Sequence, residues 1–182
     1  MKDEELYPAV RKLLRFAGED TRREGLKDTP KRFINAWKFW TKGYNENPKK
    51  VMRTFKNPGL DQLIVIPNID FYSMCEHHLA PFYGTITIGY VPNGRVLGLS
   101  KFARLSEIYA RRLQIQEGLG QQIANDIIKY VKPQGVGVVI KGIHLCMRSR
   151  GVEKQNSEMV TSVMLGKFRE EPELRAEFFS LI

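Results

Sequence analysis

The residues best suited to metal chemistry fall in two short segments of the chain. Cys75 and His78 lie three positions apart within Ser73-Met74-Cys75-Glu76-His77-His78, and His144-Leu145-Cys146 follows much later. The protein has 3 histidines and 2 cysteines, and these two segments contain all of them. Inert buried thiols and core histidines have no reason to gather in this way, so the pattern favours a metal site.

Zinc is the metal that best suits such ligands, because it accepts thiolate and imidazole in tetrahedral geometry. A closed structural site would draw four ligands from the five candidates. A more economical arrangement uses Cys75, His78 and Cys146 and leaves the fourth position for water, with His77 and His144 beside the metal as acid and base. We expect His144 and Cys146 to project from one side of a strand and to face one cavity. Water in the open position of a zinc site can have a pKa near ~7.

A second group of residues suits an anion. The segment Gly98-Leu99-Ser100-Lys101-Phe102-Ala103-Arg104 lies at a predicted junction between a strand and a helix. Ser100 is predicted to cap that helix, whose free N–H groups would bind an anion, and Lys101 and Arg104 would share one helix face. Arg148 and Arg150 add positive charge directly after the second metal segment. An ordinary capped helix with solvated cations would explain the first of these segments equally well.

The segment Gln114-Ile115-Gln116-Glu117 is a candidate for guanine recognition, near the end of the same predicted helix. A carboxylate such as that of Glu117 can accept hydrogen bonds from guanine N1–H and the 2-amino group, and Gln116 supplies a carboxamide beside it. Taken alone, the segment is more simply explained as a solvated helix face.

Hydrophobic periodicity predicts the elements that must position these residues. Apolar residues at helical spacing indicate one helix over residues 3–17, with Pro8 in its first turn, and a second that begins at an N-cap Thr29 with Pro30 and ends near Gly43. Alternation then predicts strands, two helices and further strands, before a terminal helix over residues 171–182. The strand elements are expected at residues 63–66, 69–73, 85–90, 95–99 (as the hairpin partner of 85–90), 136–140, 144–148 and 159–165.

This order predicts an α+β fold, in which an antiparallel sheet carries helices on one face. An N-terminal helical appendage over residues 1–60 would precede a catalytic domain over residues 61–182. The anion candidates would lie where a strand leads into the first of the two helices, and the guanine candidates near the end of that helix.

Composition limits the classes of function. The chain has 182 residues, a formal net charge of +9 and 42% hydrophobic residues, as expected of a globular protein with an anionic partner. Its basic residues are scattered, which favours a small anion over nucleic acid. The absence of a long apolar run argues against a membrane span, and the acidic N-terminus does not resemble a secretory signal. A cytoplasmic location is therefore expected, where a structural disulfide is improbable.

Taken together, these motifs resemble the GTP cyclohydrolase I family, and the resemblance runs in family order across nearly the whole chain. The matching stretches are residues 18–26, Thr29-Pro30-Lys31-Arg32, Cys75-Glu76-His77-His78, residues 98–104, residues 111–117, His144-Leu145-Cys146 and Phe168-Arg169. One position departs from the pattern, because relatives often have a basic residue where this chain has Asn35.

The resemblance implies a zinc hydrolase acting on a cyclic amidine, built on a tunnelling fold. Its subunits would join sheet to sheet in a homodecamer with active sites at subunit interfaces. One zinc per subunit would be held by Cys75, His78 and Cys146. The remaining roles implied are proton transfer by His77 and His144 with Ser100, guanine binding by Gln116 and Glu117, and ribose or triphosphate binding by Ser100, Lys101, Arg104, Arg150 and Arg32.

The reaction implied begins the biosynthesis of pterins and folate. GTP is opened at C8 of guanine, formate leaves, the ribose undergoes an Amadori rearrangement, and ring closure gives 7,8-dihydroneopterin triphosphate. Two alternatives stay open on the residues alone. One is a zinc-dependent nucleic-acid-binding module, although the ligand spacing matches no common zinc finger. The other is an enzyme of the same fold that acts on a pterin or a deazapurine without cleavage at C8.

Overall fold

The structure is a computed structural model that describes residues 2–182. These residues form two compact units, one ending at Lys42 and the other running from Gly43 to Ile182. No helix among the described residues is long and apolar enough to cross a membrane.

The first unit is a pair of helices, α1 (Tyr7–Phe16) and α2 (Thr29–Trp40), with 3-10 turns at Asp3–Leu6 and Glu24–Leu26. Val10, Pro30 and Ile34 are its buried apolar side chains. Pro8 and Pro30 each lie in the first turn of a helix, where proline costs no hydrogen bond. The N-cap of α2 is Asp28 and not Thr29, because Thr29 already has helical geometry.

The second unit contains seven strands and five helices, apart from 3-10 turns at Lys42–Asn45 and Pro48–Lys50. The strands are β1 (Thr54–Lys56), β2 (Ile64–Cys75), β3 (Pro81–Val91), β4 (Arg95–Leu97), β5 (Leu113–Gln114), β6 (Gly135–His144) and β7 (Met159–Gly166), and the helices are α3 (Leu99–Ala110), α4 (Gln116–Val131), α5 (Leu145–Arg148), α6 (Lys167–Glu170) and α7 (Pro172–Ser180).

Five strands form the main sheet in the order β5-β2-β3-β6-β7. All neighbours are antiparallel except β5, which pairs in parallel with the end of β2. The long helices α3 and α4 pack on one face through apolar side chains such as Leu105 and Ile123, both fully buried. The predicted α+β class, an antiparallel sheet that carries helices, is therefore confirmed.

The C-terminal helices cover part of the opposite face. Phe168 of α6 and Phe178 of α7 are fully buried, with their rings edge to face at 5.3 Å. They fit against the sheet because Gly137 has no side chain, since a Cβ there would lie 2.6 Å from the Phe168 ring. The terminal helix predicted over residues 171–182 corresponds to α7, and α6 is a separate short helix that ends directly before Glu171.

Two predicted strand arrangements are wrong. Residues 63–73 were expected to form two strands separated by Pro67-Asn68, but β2 is continuous and accommodates these residues in a register shift between Ile66 and Ile69. The expected hairpin between β3 and residues 95–99 does not form. Both edges of β3 are occupied by β2 and β6, and β4 pairs instead with β1.

Candidate metal centre and active site

Three side chains from the two metal segments converge at one end of the sheet. The ligand atoms of Cys75, His78 and Cys146 all lie within 4.8 Å of one another. Cys75 is buried, Cys146 is half-buried and His78 is exposed, so the group opens toward the surface on the histidine side. The structure thus brings together the three residues that the sequence analysis proposed as ligands.

The geometry of this group fits a tetrahedral metal. Zinc–sulfur and zinc–nitrogen bonds of about 2.3 Å and 2.0–2.1 Å place neighbouring ligand atoms roughly 3.6 Å apart at the tetrahedral angle. The Sγ of Cys75 lies 3.7 Å from Nδ1 of His78, close to that separation. Two sulfurs and one imidazole nitrogen are also the donor set that zinc favours, and they leave one tetrahedral position without a protein ligand.

Backbone hydrogen bonds hold the turn that carries two of the ligands. The Cys75 N–H donates to the Ala80 carbonyl at 2.8 Å, and the Leu79 N–H donates to the Cys75 carbonyl at 2.9 Å. The Glu76 N–H donates to the Gln114 carbonyl at 3.1 Å, which ties the turn to β5. Leu79 adopts a left-handed φ of 51°, so the chain reverses directly after His78 and returns as β3.

The second segment differs from its predicted conformation. We expected residues 144–148 to continue a strand, but His144 is the last residue of β6 and Cys146 lies in the helical turn α5. The argument from strand alternation is therefore wrong, although its conclusion holds. His144 and Cys146 both line one cavity of about 310 Å³, together with Gly142, Met147, Ser157, Glu158 and Met159.

The surroundings of the Cys146 thiol include groups that raise its pKa and groups that lower it. Burial raises the pKa of Cys146 because it disfavours the charged thiolate, and the neighbouring Cys75 thiol raises the same pKa further. The Arg150 guanidinium lowers the same pKa to a smaller extent. Arg150 is therefore close enough to act on the metal group, although its side chain is exposed.

The two candidate proton-transfer histidines have different environments. His77 is 64% exposed, with Nε2 at 3.8 Å from the Glu76 carboxylate. His144 is half-buried, and its ring stacks on that of Phe82 at 4.5 Å between centroids with planes 9° apart. Burial lowers the pKa of His144, and the Glu117 carboxylate opposes that shift. His144 is therefore held in a fixed orientation, whereas His77 lies on an open turn.

Gln116 and Glu117 begin α4 and do not lie near the end of the preceding helix as predicted, because α3 stops at Ala110. Glu117 is exposed, and its charge acts on His144. Gln116 is fully buried and bonds within the chain, with its Oε1 at 2.9 Å from Nε2 of His144. The charge of the guanine candidate Glu117 therefore acts on a proton-transfer candidate, whereas guanine contact through the side chain of Gln116 stays a prediction.

Three of the anion candidates, Ser100, Lys101 and Arg104, lie on α3. Ser100 and Lys101 are in the first turn of α3, but the N-cap is Gly98, so the prediction that Ser100 caps the helix is wrong. Within residues 2–182, no hydrogen bond or ion pair joins Ser100, Lys101 or Arg104 to the metal group. Arg32 belongs to the first compact unit, where its guanidinium lies 3.8 Å from the Asp28 carboxylate.

Sequence reasoning missed two residues of the site. Phe82 stacks on His144 because the register of β3 and β6 pairs these two positions. Gly142 leaves space that the Gln116 side chain occupies, since a Cβ at Gly142 would lie 2.1 Å from Gln116 Oε1. Neither carries a chemical group that a motif would reveal. The register of β3 with β6 brings Phe82 to His144, whereas Gly142 shares β6 with His144 and is brought to Gln116 by the packing of α4.

A family model and individual proteins match nearly the whole chain. The family model described as GTP cyclohydrolase I matches residues 6–182. A protein of Coxiella burnetii (strain Dugway 5J108-111) named GTP cyclohydrolase 1 is 50% identical over 174 residues, which are 95% of each chain. A GTP cyclohydrolase 1 of Rattus norvegicus is 52% identical over 178 residues, which are 97% of this chain and 74% of that protein.

Among solved structures, an archaeosine synthase QueF-Like protein in its apo form aligns at a TM-score of 0.47 and 20% identity, over 61% of this chain and 97% of that one. The family match extends over nearly all of the sequence and includes both metal segments, the start of α3 and the start of α4. The chain therefore belongs to the GTP cyclohydrolase I family.

Proposed function

We propose that this enzyme hydrolyses GTP at C8 of guanine, releases formate and closes the rearranged ribose to give 7,8-dihydroneopterin triphosphate, the first step of folate and pterin biosynthesis. The observation that carries this proposal is the group of Cys75, His78 and Cys146 with His144 on the same cavity. A metal with an open position beside a held imidazole suits hydrolysis of a carbon–nitrogen bond. We also propose that the enzyme acts in the cytoplasm.

Zinc is the metal we propose for this group, one ion per subunit, because the donor set and the spacing of 3.7 Å between Cys75 Sγ and His78 Nδ1 suit it. When bound, zinc supplies a Lewis acid that activates water and stabilises developing negative charge. The protein supplies the remaining chemistry through His77 and His144, which we assign to proton transfer together with Ser100.

We assign recognition of GTP to charged side chains at the surface. Glu117 would accept hydrogen bonds from the guanine edge. Its electrostatic effect on His144 supports this role, because guanine must lie beside the group that protonates it. Lys101, Arg104 and Arg150 would bind the ribose and triphosphate, with Arg32 as a further candidate. Their charges suit a triphosphate, which carries about −4 at neutral pH.

We propose that the enzyme is a homodecamer with active sites at subunit interfaces. The position of β7 supports sheet-to-sheet assembly, because it is the last strand of the main sheet and its Val160 is 58% exposed. Ser100 and Lys101 at the start of α3 would then serve the metal group of a neighbouring subunit. Native mass spectrometry measures the oligomer directly, and a monomer that is fully active would contradict the shared site.

The experiment that tests the function is a GTP turnover assay on protein of measured metal content. We expect equal amounts of formate and of a fluorescent pterin after oxidation, and neither product from ATP. Protein that contains stoichiometric metal but releases no formate from GTP would contradict the proposal. Tight, salt-dependent binding to nucleic acid in place of turnover would favour the alternative of a binding module.

A further inference from the structure

The side chain of Gln116 connects the start of α4 to two strands and to His144. Its Nε2 lies 3.1 Å from the Ile140 carbonyl, 3.0 Å from the Met159 carbonyl and 3.1 Å from the Thr161 hydroxyl. The residue is fully buried, so water cannot replace any of these partners. A buried amide with four such contacts has a well-determined orientation.

The partners of Gln116 decide which end of the amide is nitrogen. Carbonyl oxygens can only accept, so the atom that faces Ile140 and Met159 must be the NH₂ group. The reverse orientation would set Oε1 against two carbonyl oxygens with no proton between them. The amide oxygen therefore points to Nε2 of His144, at 2.9 Å.

This orientation determines where His144 carries its proton. An amide oxygen only accepts hydrogen bonds, so Nε2 of His144 must donate to it. A neutral imidazole has one N–H, and Nδ1 is then the nitrogen with a free lone pair. A half-turn of the imidazole would keep its stacking on Phe82 but would break the hydrogen bond of Nε2 to the Gln116 amide, so that bond selects the ring orientation.

We propose that Gln116 is a positioning residue that holds the Nε2–H tautomer of His144, so that Nδ1 is the atom that exchanges a proton with the substrate. The proton that His144 transfers enters and leaves at Nδ1, while the Nε2 proton stays in the bond to Gln116. This inference rests on the proposed function for the transfer itself, but the tautomer can be measured without substrate. The role replaces direct guanine contact by the Gln116 side chain, whose polar atoms are already bonded within the chain.

Gly142 helps to position the Gln116 amide for its hydrogen bond to His144. A Cβ at Gly142 would lie 2.1 Å from Gln116 Oε1 and 3.1 Å from its carboxamide carbon, so the amide must move if any other residue stands there. Gly142 lies on β6 between Ile140, which binds the amide nitrogen, and His144. We therefore expect Gly142→Ala to weaken the same hydrogen bond as a change of Gln116 itself.

The tautomer is tested by two-bond ¹H–¹⁵N correlation spectra of the intact protein, which has 3 histidines. We expect His144, assigned by comparison with His144→Asn, to show a protonated Nε2 and an unprotonated Nδ1. The opposite tautomer in the wild-type protein would overturn the proposal, whatever the behaviour of any variant. This spectrum involves no turnover, so it separates the proposal from the proposed function, which fails only if formate is not released from GTP.

Variants give a second test. Gln116→Met keeps the length of the side chain but accepts no hydrogen bond, and we expect kcat to fall roughly 10- to 100-fold with KM for GTP within about threefold. Gln116→Glu, which when protonated donates to a carbonyl and accepts from His144, should recover part of kcat. A matched control is Gln114→Met, because Gln114 is also buried and its amide bonds to Tyr109 and Gln122 but not to His144.

The control should leave the His144 spectrum unchanged, whereas Gln116→Met should produce a mixture of tautomers. The proposal is overturned if Gln116→Met retains wild-type kcat, or if its loss appears only in KM as direct guanine contact would produce. It is also overturned if Gln114→Met changes the His144 tautomer as much as Gln116→Met does.

Discussion

Metal affinity should depend steeply on pH if both cysteines are ligands. Metal binds the thiolate form, so each cysteine must lose its proton when the ion binds. The pKa of a thiol is ordinarily about 8.5, and burial together with the neighbouring Cys75 raises the pKa of Cys146. Near neutral pH the metal therefore displaces protons, and its affinity increases as the pH rises.

The size of the effect follows from the number of thiols. Each displaced proton changes the dissociation constant tenfold per pH unit, so two thiols give about 100-fold, or about 2.7 kcal/mol, per pH unit. We expect this slope between about pH 6.5 and 7.5, below the ordinary pKa of a thiol. Cys146→Ala should reduce the slope to about tenfold per pH unit and should weaken binding at every pH.

Competition with a chromophoric zinc chelator at a series of pH values measures this slope. His77→Ala is the matched control, because His77 lies in the same turn but is 64% exposed and outside the ligand group. It should retain the wild-type slope. A wild-type slope of tenfold or less, or a Cys146→Ala variant with an unchanged slope, would refute the assignment of two thiolate ligands.

Three further changes test the surroundings of the site. Phe82→Ala removes a fully buried ring that packs on Phe71 and His144. We expect the free energy of unfolding, measured in urea, to fall by about 3–5 kcal/mol, and a loss below about 1 kcal/mol would contradict the packing argument. Tyr109→Phe removes a hydrogen bond of 2.6 Å from the Tyr109 hydroxyl to Asp126. It should lower the free energy of unfolding by about 1.5–3 kcal/mol, and an unchanged urea midpoint would contradict this expectation. Glu117→Ala should raise KM for GTP roughly 100-fold in a formate assay, and a wild-type KM would remove Glu117 from guanine binding.

The metal group was predictable from the sequence because its chemistry depends on residue type. Cysteine and histidine are rare in this chain, so their concentration in two segments is informative without knowledge of the fold. The α+β class followed from apolar periodicity for the same reason, since alternation and helical spacing are local properties.

The parts that were not predictable depend on pairing between distant segments. Leu145 to Arg148 contains the apolar residues of a strand, but the chain leaves the sheet after His144 and turns into α5. The contact between Phe82 and His144 requires the register of β3 with β6, and the role of Gln116 requires the carbonyls of two strands. No local pattern in the sequence encodes these relations.

Because β3 is the central strand of the main sheet, metal binding during refolding reports the formation of that sheet. Cys75 and His78 are close along the chain, but Cys146 reaches them only after β3 has paired with β2 and β6. Closing so long a loop is slow compared with forming a local turn. A slip of one residue between β3 and β6 would turn His144 to the opposite face. The time at which tight zinc binding appears during refolding would therefore show when the central strands reach their native register.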